Sequence, residues 1–319
     1  MTGRRFRLAT DARCESNGSC MDIRNLLQLG DGKRKARDFP GAELTYLAIL
    51  DQNPVHARAL LGLGDALRGQ GATVRALAAW AAYLEVWPPT APLLARMGDA
   101  CRKLGRIDQA AQLYRDALDQ DVAYRHALAA LGDLCLKAGR AAEALGYWDR
   151  LLELDPGLVH ILTLAGNLHR KQQAFALAEA RFRQALFLEP DNPHVLFGLA
   201  DALRGQRRYQ DAAPFWEAVL ALGADSPPNP QVLARAGDCF MHLGQLERAE
   251  ALFTAGCQQG FHKPGLMGLA RIDLAHGRFQ AAMDRCLGIL AEGPEDARVR
   301  ALLREAEAGL PPEPAGPPS

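Results

Sequence analysis

Residues 61–88 read LGLGDALRGQGATVRALAAWAAYLEVWP, and this segment contains the pattern on which the fold depends. Within it, the six residues Asp65–Gln70 occur again, letter for letter, at Asp201–Gln206. The two copies are 136 residues apart, which is four times 34. A fixed internal period of this length is typical of repeat proteins, in which each unit is one supersecondary structure. Further copies are therefore expected at the same spacing.

Aligning the chain with itself at this period gives eight units, which begin at Ile23, Ala57, Ala91, Arg125, Val159, Pro193, Pro230 and Lys263. Position eight of each unit is small: Gly30, Gly64, Gly98, Gly132, Gly166, Ala200, Gly237 and Ala270. Position twenty is alanine throughout: Ala42, Ala76, Ala110, Ala144, Ala178, Ala212, Ala249 and Ala282. Helices approach closely only where side chains are small, so both positions predict helix–helix contacts.

Other positions of the unit indicate two helices joined by a turn. Position twenty-four is Tyr46, Trp80, Tyr114, Trp148, Phe182, Trp216 and Phe253, and then Cys286 in the last unit. A large ring there predicts that it fills the gap toward the next unit. Glycine at the middle of five units suits the left-handed end of a helix, and proline near the end of most units stops the second helix. Each unit is predicted to be a helical hairpin.

The segments outside and between the units are predicted to differ from the hairpins in structure. Residues 1–22 are predicted to be a flexible N-terminal extension, and residues 311–319, PPEPAGPPS, a disordered tail. Residues 297–310 read as an amphipathic cap helix, which a repeat array needs at its end. The proline-rich segment 225–230, DSPPNP, interrupts the array, either as a hinge or only as a longer loop.

Composition restricts the class of protein. Lys plus Arg and Asp plus Glu both total 37, so the basic excess expected of nucleic-acid binding is missing. No apolar run approaches the roughly 18 residues that span a bilayer, so we expect no membrane insertion. Seven cysteines without a CxxC pair suit a reducing cytoplasm. The Ala-, Arg- and Leu-rich composition is typical of a GC-rich bacterial genome.

The repeated residues resemble the tetratricopeptide repeat (TPR) family. Gly or Ala at position eight, Ala at twenty, an aromatic residue at twenty-four and proline near thirty-two carry the resemblance, most clearly in residues 61–88 and in LGDLCLKAGRAAEALGYWDRLLELDP (131–156). The resemblance covers about residues 23–296 and implies a right-handed α-solenoid superhelix of eight hairpins. In this family positions two, five, nine, twelve and thirteen line a concave groove.

A polar row occupies position nine: Asp31, Asp65, Asp99, Asp133, Asn167, Asp201 and Asp238. Bases follow in most units three or four residues later, a spacing that stabilises a helix by about 0.2–0.5 kcal/mol. That support is one sufficient explanation, and partner binding in the groove is the other. On the second interpretation the candidate partner-binding residues are Asp65, Arg68, Asp99, Arg102, His126, Asp133, His160, Asn167, Arg170, His194, Phe197, Asp201 and Arg204.

Three of these candidates, His126, His160 and His194, share position two in successive units. They can be surface residues, ligand contacts or metal ligands. Stacked hairpins lie on the order of 10 Å apart, so a shared metal would be strained and no metal site is predicted.

No catalytic constellation and no phosphate-binding loop stands out, so we predict no enzymatic activity and no cofactor. The predicted function is a non-catalytic scaffold or adaptor that binds a protein or peptide in its groove. Two alternatives stay open. One is a scaffold that homo-oligomerises through the ends of the array, and the other is an accessory subunit of an enzyme complex.

Overall fold

The computed structural model describes residues 22–222, 229–260, 262–293 and 296–309. Within these ranges there are seventeen α-helices and no strand. Odd-numbered helices are the first helices (A helices) of successive hairpins, and even-numbered helices are the second (B helices). The chain is therefore an all-α repeat solenoid, as the period predicts. The described residues form two compact units, one that ends at Tyr147 and one that begins at Trp148.

The first unit contains α1 to α7 and the beginning of α8. Their bounds are α1 Ile23–Lys35, α2 Phe39–Gln52, α3 Ala57–Gly69, α4 Thr73–Leu84, α5 Ala91–Lys103, α6 Ile107–Gln120, α7 Arg125–Lys137 and α8 Ala141–Leu154. Helix α1 packs on α2, α3 on α4 and α5 on α6, and α2 also packs on α3 and α6 on α7. Each B helix thus connects its own A helix to the next hairpin.

The second unit contains the end of α8 and the nine helices that follow. Their bounds are α9 Val159–Lys171, α10 Phe175–Leu188, α11 Pro193–Gly205, α12 Tyr209–Leu222, α13 Pro230–His242, α14 Leu246–Cys257, α15 Lys263–Ala275, α16 Phe279–Glu292 and α17 Ala297–Gly309. Successive A helices contact each other here, α9 with α11, α11 with α13 and α13 with α15. Side chains on neighbouring A helices are therefore within reach of one another.

Alanine and the aromatic residues form the core, as the sequence predicts. Position twenty is fully buried in all eight hairpins, and Tyr46, Trp80, Tyr114, Trp148, Phe182 and Trp216 are fully buried as well. In five hairpins the ring, namely Tyr46, Trp80, Tyr114, Phe182 or Phe253, packs against the glycine at position eight. A Cβ atom added to Gly64 would lie 2.2 Å from Trp80 Nε1, so no larger residue fits there without movement.

Three rings also contact a second glycine, one that the sequence pattern did not indicate. This glycine is at position six of the next A helix. Cβ atoms built on Gly62, Gly198 and Gly268 would lie 2.3–2.4 Å from the rings of Tyr46, Phe182 and Phe253. These rings are held between two A helices, so the ring at position twenty-four joins successive hairpins.

The turn inside each hairpin needs a left-handed residue. Glycine supplies it in five hairpins, for example Gly71 with φ of 79°. In the other three hairpins the same position is occupied by Arg37, Gln173 and Arg207, each with φ of 61°. The turn geometry therefore continues where glycine is missing, at a cost of about 1–2 kcal/mol for each side chain.

Helix α17 packs on the eighth hairpin in the way that an A helix packs on the hairpin before it. Val299 and Ala306 are buried, and a Cβ atom added to Gly309 would lie 2.2 Å from the ring of Phe279. Gly69 and Gly205 face Phe39 and Phe175 in the same manner. Asp296 accepts hydrogen bonds from the first amides of α17, and its pKa is about 2, chiefly because Lys263 donates to it.

Several expectations lie wholly or largely outside the described residues. They are the N-terminal extension at 1–22, of which 1–21 are not described, the interruption at 225–230, of which 225–228 are not, residue 310 of the cap helix, and the tail at 311–319.

Candidate functional site

On the A helices of the first unit, the acidic row binds neighbouring hairpins to each other. Asp31 accepts a hydrogen bond from Tyr46 Oη at 2.7 Å and pairs with Arg58 on the next A helix. Arg96 Nη1 lies 2.9 Å from both oxygens of Asp65, again from the following hairpin. The intrahelical pairs expected from the spacing are longer, as in Arg34 with Asp31 at 3.5 Å. The row therefore connects hairpins more than it supports single helices.

Asp99 continues this row and has the most varied partners. It accepts hydrogen bonds from Tyr114 Oη at 2.7 Å and contacts His126 Nε2 at 2.9 Å, while Arg102 lies 3.5 Å away. The bond to Asp99 raises the pKa of His126. Burial alone would raise the pKa of Asp99, but the hydrogen bonds from His126 and Tyr114 lower it. The pair is most stable when the imidazole is charged and the carboxylate ionised.

We expect His126→Ala to destabilise the first unit more at pH 5.5 than at pH 9. A raised folded pKa means that the stabilisation is complete below the unfolded value of about 6.5 and is lost as pH rises through the folded value. The loss at pH 5.5 should stay below about 1 kcal/mol, because the imidazole is half exposed. Urea midpoints at the two pH values measure it. His160→Ala serves as control, because it removes an exposed imidazole that makes no hydrogen bond within the described ranges. Equal losses for His126→Ala at both pH values would contradict a charged pair of His126 with Asp99.

In the second unit, one buried carboxylate collects three arginines. Asp201, whose side chain is 5% exposed, pairs with Arg170, Arg204 and Arg235, which come from three successive A helices. Arg204 also reaches Asp238 Oδ2 at 3.0 Å, and Arg271 lies 3.9 Å from the other oxygen of Asp238. Four guanidinium groups thus share two carboxylates.

Phe197 lies within this arginine cluster. The guanidinium carbons of Arg170 and Arg235 are 5.3 and 5.4 Å from the centre of its ring, within the range of cation–π attraction. Trp216 meets the same ring edge-on at 5.6 Å and supports it from the core. Phe197 therefore fixes two arginines in place while they remain partly exposed.

A cavity of about 390 Å³ lies beside the cluster, between α11, α13, α15 and the start of α17. Five basic and two acidic residues line it, namely Arg204, Arg235, Lys263, Arg271 and Arg298 with Asp238 and Asp296. Ala234, Pro264 and Met267 add apolar surface. The cavity is therefore basic with an apolar part.

The remaining candidate residues are distributed over both units. Arg68 and Arg102 line a cavity of about 600 Å³ with Lys103, and Arg68 makes no ion pair with any described residue. Asp133 makes no hydrogen bond within the first unit. In the second unit, Asn167 accepts from Arg170 at 3.0 Å, and His160 and His194 line one cavity of about 550 Å³. That cavity brings two of the three histidines together.

Four basic residues on the A helices that pair with the acidic row were not predicted from the sequence: Arg58, Arg96, Arg235 and Arg271. Arg96 and Arg235 share position six, where three of the other hairpins have glycine and the rest have Gln28, Ala130 and Leu164. Comparing position six across the units would have indicated these two, because only they are charged at a position that is otherwise uncharged. Among the described residues, no group of three or more His, Cys, Asp or Glu side chains could hold a metal. No helix in the same ranges is long and apolar enough to cross a membrane.

The tetratricopeptide repeat family model matches residues 27–91, 96–159, 163–230 and 205–260. The chain belongs to this family. It therefore has the architecture of a protein-interaction scaffold, and the polar face described above lies on the A helices of its TPR hairpins. A search of curated proteins found no match.

Several solved structures are similar to this chain at low sequence identity. A TPR repeat-containing protein from Cytophaga hutchinsonii, of which the C-terminal part was solved, is 15% identical with a TM-score of 0.61, and the match covers 76% of this chain and 99% of that one. Cut9–Hcn1, from the APC/C, is 16% identical with a TM-score of 0.52, covering 88% and 55%. YrrB, described as a TPR protein with an unusual peptide-binding site, is 19% identical with a TM-score of 0.48, covering 55% and 90%.

Proposed function

We propose that this chain is a TPR scaffold that binds an acidic, partly apolar peptide segment of a protein partner on the A helices α11, α13 and α15. The observation that carries the proposal is the unbalanced positive charge around Asp201 and Asp238. Four arginines share these two carboxylates, although the chain as a whole has no net charge. The positive charge is thus concentrated locally.

Within this cluster, the positive charge of Arg235 is less well compensated than that of Arg204, whose pKa is raised by Asp201 and Asp238. Burial lowers the pKa of Arg235, and the charges of Arg170 and Arg204 lower it further, against the opposing effect of Asp201. An additional carboxylate near Arg235 would reduce this repulsion and form charge-assisted hydrogen bonds. The reduced repulsion between the arginines would therefore contribute favourably to the free energy of binding.

The adjoining cavity adds a preference for apolar side chains. Lys263 has Asp296 as its own partner, whereas Arg235 and Arg271 share their carboxylates with other arginines. Arg235, Arg271 and Arg298 are therefore the bases that a peptide carboxylate would meet. Met267, Ala234 and Pro264 can cover one neighbouring aliphatic side chain. A segment in which acidic and aliphatic residues alternate matches both features.

Fluorescence anisotropy with labelled peptides tests the proposal. One twelve-residue probe contains Glu, Asp and Leu, and its matched control has Gln and Asn in place of the acids. We expect the acidic probe to bind at least about 10-fold more tightly, with an affinity that falls as salt is added. Equal binding of the two probes would overturn the proposal.

Protein variants locate the binding surface. Arg271→Glu should weaken binding of the acidic probe by about 10-fold, the effect of losing one charge-assisted contact. Arg248→Glu is the matched control, because Arg248 is 41% exposed against 43% for Arg271 and lies on a B helix, α14. Wild-type affinity in the Arg271 variant would place the peptide elsewhere.

A further inference from the structure

The second unit carries an exposed aromatic side chain that the fold does not need. Phe187 on α10 is 88% exposed, the highest value among the large hydrophobic residues of the described ranges. Its repeat position, twenty-nine, is acidic in the four preceding hairpins, at Asp51, Glu85, Asp119 and Glu153. The three hairpins that follow have alanine or glutamine there, so Phe187 is the one large apolar residue at this position. The fold gives no reason for a phenyl ring in water, and exposed apolar surface marks interaction sites.

An apolar cavity opens directly beside this ring. It measures about 860 Å³ and is formed by the end of α8, the α8–α9 loop, α9 and α10. We call Leu152, Pro156, Leu162, Phe187 and Leu188, with the charged residues around them, the Phe187 patch. The patch lies largely on B helices, away from the arginine cluster of the A helices.

We propose that the Phe187 patch binds the Phe187 patch of a second copy of this chain. The patch contains both a protruding ring and an apolar cavity, so two copies related by a twofold axis can each place Phe187 in the cavity of the other. Such an interface is self-complementary, because residue i contacts residue j and residue j contacts residue i.

The charges around the patch favour the same occupant. Asp149 and Glu153 balance Arg181 and Arg183, so the patch has both signs and no net charge. Asp149 is paired with Arg181 at 2.7 Å, whereas Glu153 has no ion pair among the described residues and is available to a base of the partner copy. The whole chain also has zero net charge, so copies do not repel one another. A strongly charged partner gains nothing from this surface.

Sedimentation equilibrium from about 1 μM to 1 mM protein tests the proposal. One aromatic anchor and its cavity form an interface smaller than the roughly 1,600 Å² of a stable complex, so we expect a dissociation constant of about 10–100 μM. The weight-average mass of the wild type should rise from monomer toward dimer across the series. A wild type that stays monomeric at all concentrations overturns the proposal, since the patch would then belong to another partner.

Two variants assign the association to this surface. Phe187→Glu restores the acidic character of position twenty-nine and should raise the dissociation constant at least about 10-fold. Leu177→Glu is the control, because Leu177 is 57% exposed on the same helix but does not line the cavity. Association of the Phe187 variant like the wild type would also overturn the proposal. Peptide binding by Phe187→Glu and self-association of Arg271→Glu should both be normal, so each proposal can fail separately.

Discussion

Asp201→Ala is expected to lower the free energy of unfolding of the second unit by about 3 kcal/mol. The substitution leaves Arg170, Arg204 and Arg235 beside each other without the carboxylate that they share. Removing one member of a buried ion pair costs about 3–5 kcal/mol, because the remaining charge stays buried without compensation. The lower end applies here, since the three arginine side chains are 16–34% exposed and can turn partly to water.

Amide hydrogen exchange of α11, with urea unfolding followed by circular dichroism, measures this loss. Exchange is needed because repeat proteins open locally, so one global transition does not report on a single hairpin. Asp201→Asn separates charge from volume: it fills the same space and should lose nearly as much as Asp201→Ala. Asp211→Ala breaks a 2.7 Å pair with Arg208 at the surface and should cost less than about 1 kcal/mol.

A loss below about 1 kcal/mol for Asp201→Ala would contradict the role given to this carboxylate. It would mean that the three arginines separate without cost and that no positive charge is held on the A-helix face. The acidic-peptide proposal would then lose its physical basis, since it depends on charges that the fold keeps together. The stability experiment therefore also tests an assumption of the binding experiment.

The sequence predicted those parts of the fold in which every hairpin has the same steric requirement. Ala42 and Ala76, like the other alanines of position twenty, are fully buried because two helix backbones meet there in every unit. Any larger residue would separate the helices, so the constraint appears in each copy and is readable from one chain. The rings at position twenty-four are predictable for the same reason.

The contacts of the acidic row could not be predicted in this way. Position nine showed that Asp65 and Asp201 recur, but their partners Arg96 and Arg235 come from the next A helix. Which base reaches an acid depends on the offset between hairpins and on side-chain length, and neither follows from spacing within one helix. Phe187 is similar: an exposed position has no steric requirement, so its identity becomes informative only when its exposure is known.

Gly198→Ala should destabilise the second unit by about 2 kcal/mol. The added Cβ atom would lie 2.3 Å from two carbon atoms of the Phe182 ring. The ring has little freedom to retreat, because it is fully buried and already lies close to a second helix: a Cβ atom built on Gly166 would be only 2.9 Å from it. Overpacking of this kind costs about 1–3 kcal/mol, and the severe overlap places it at the upper end, offset by about 1 kcal/mol of helix propensity gained by alanine.

Gly288→Ala is the matched control for this substitution. Gly288 lies inside α16 in the same unit, and nothing is within 4 Å of a Cβ atom built on it. The control should therefore gain up to about 1 kcal/mol from helix propensity alone. Urea unfolding of both variants isolates the steric overlap. Both variants gain the same helix propensity, so this gain cancels in the difference between their free energies of unfolding, which should be about 3 kcal/mol.

The double variant Gly198→Ala, Phe182→Leu identifies the ring as the cause. Leucine is smaller than phenylalanine and leaves room for the new methyl group, although Phe182→Leu alone is expected to cost about 1 kcal/mol through lost packing. If the glycine exists to admit this ring, the double variant should be more stable than the sum of the two single losses by at least about 1 kcal/mol. Additive losses would show that α11 needs a glycine for another reason, and that the ring of Phe182 does not set the distance between successive A helices.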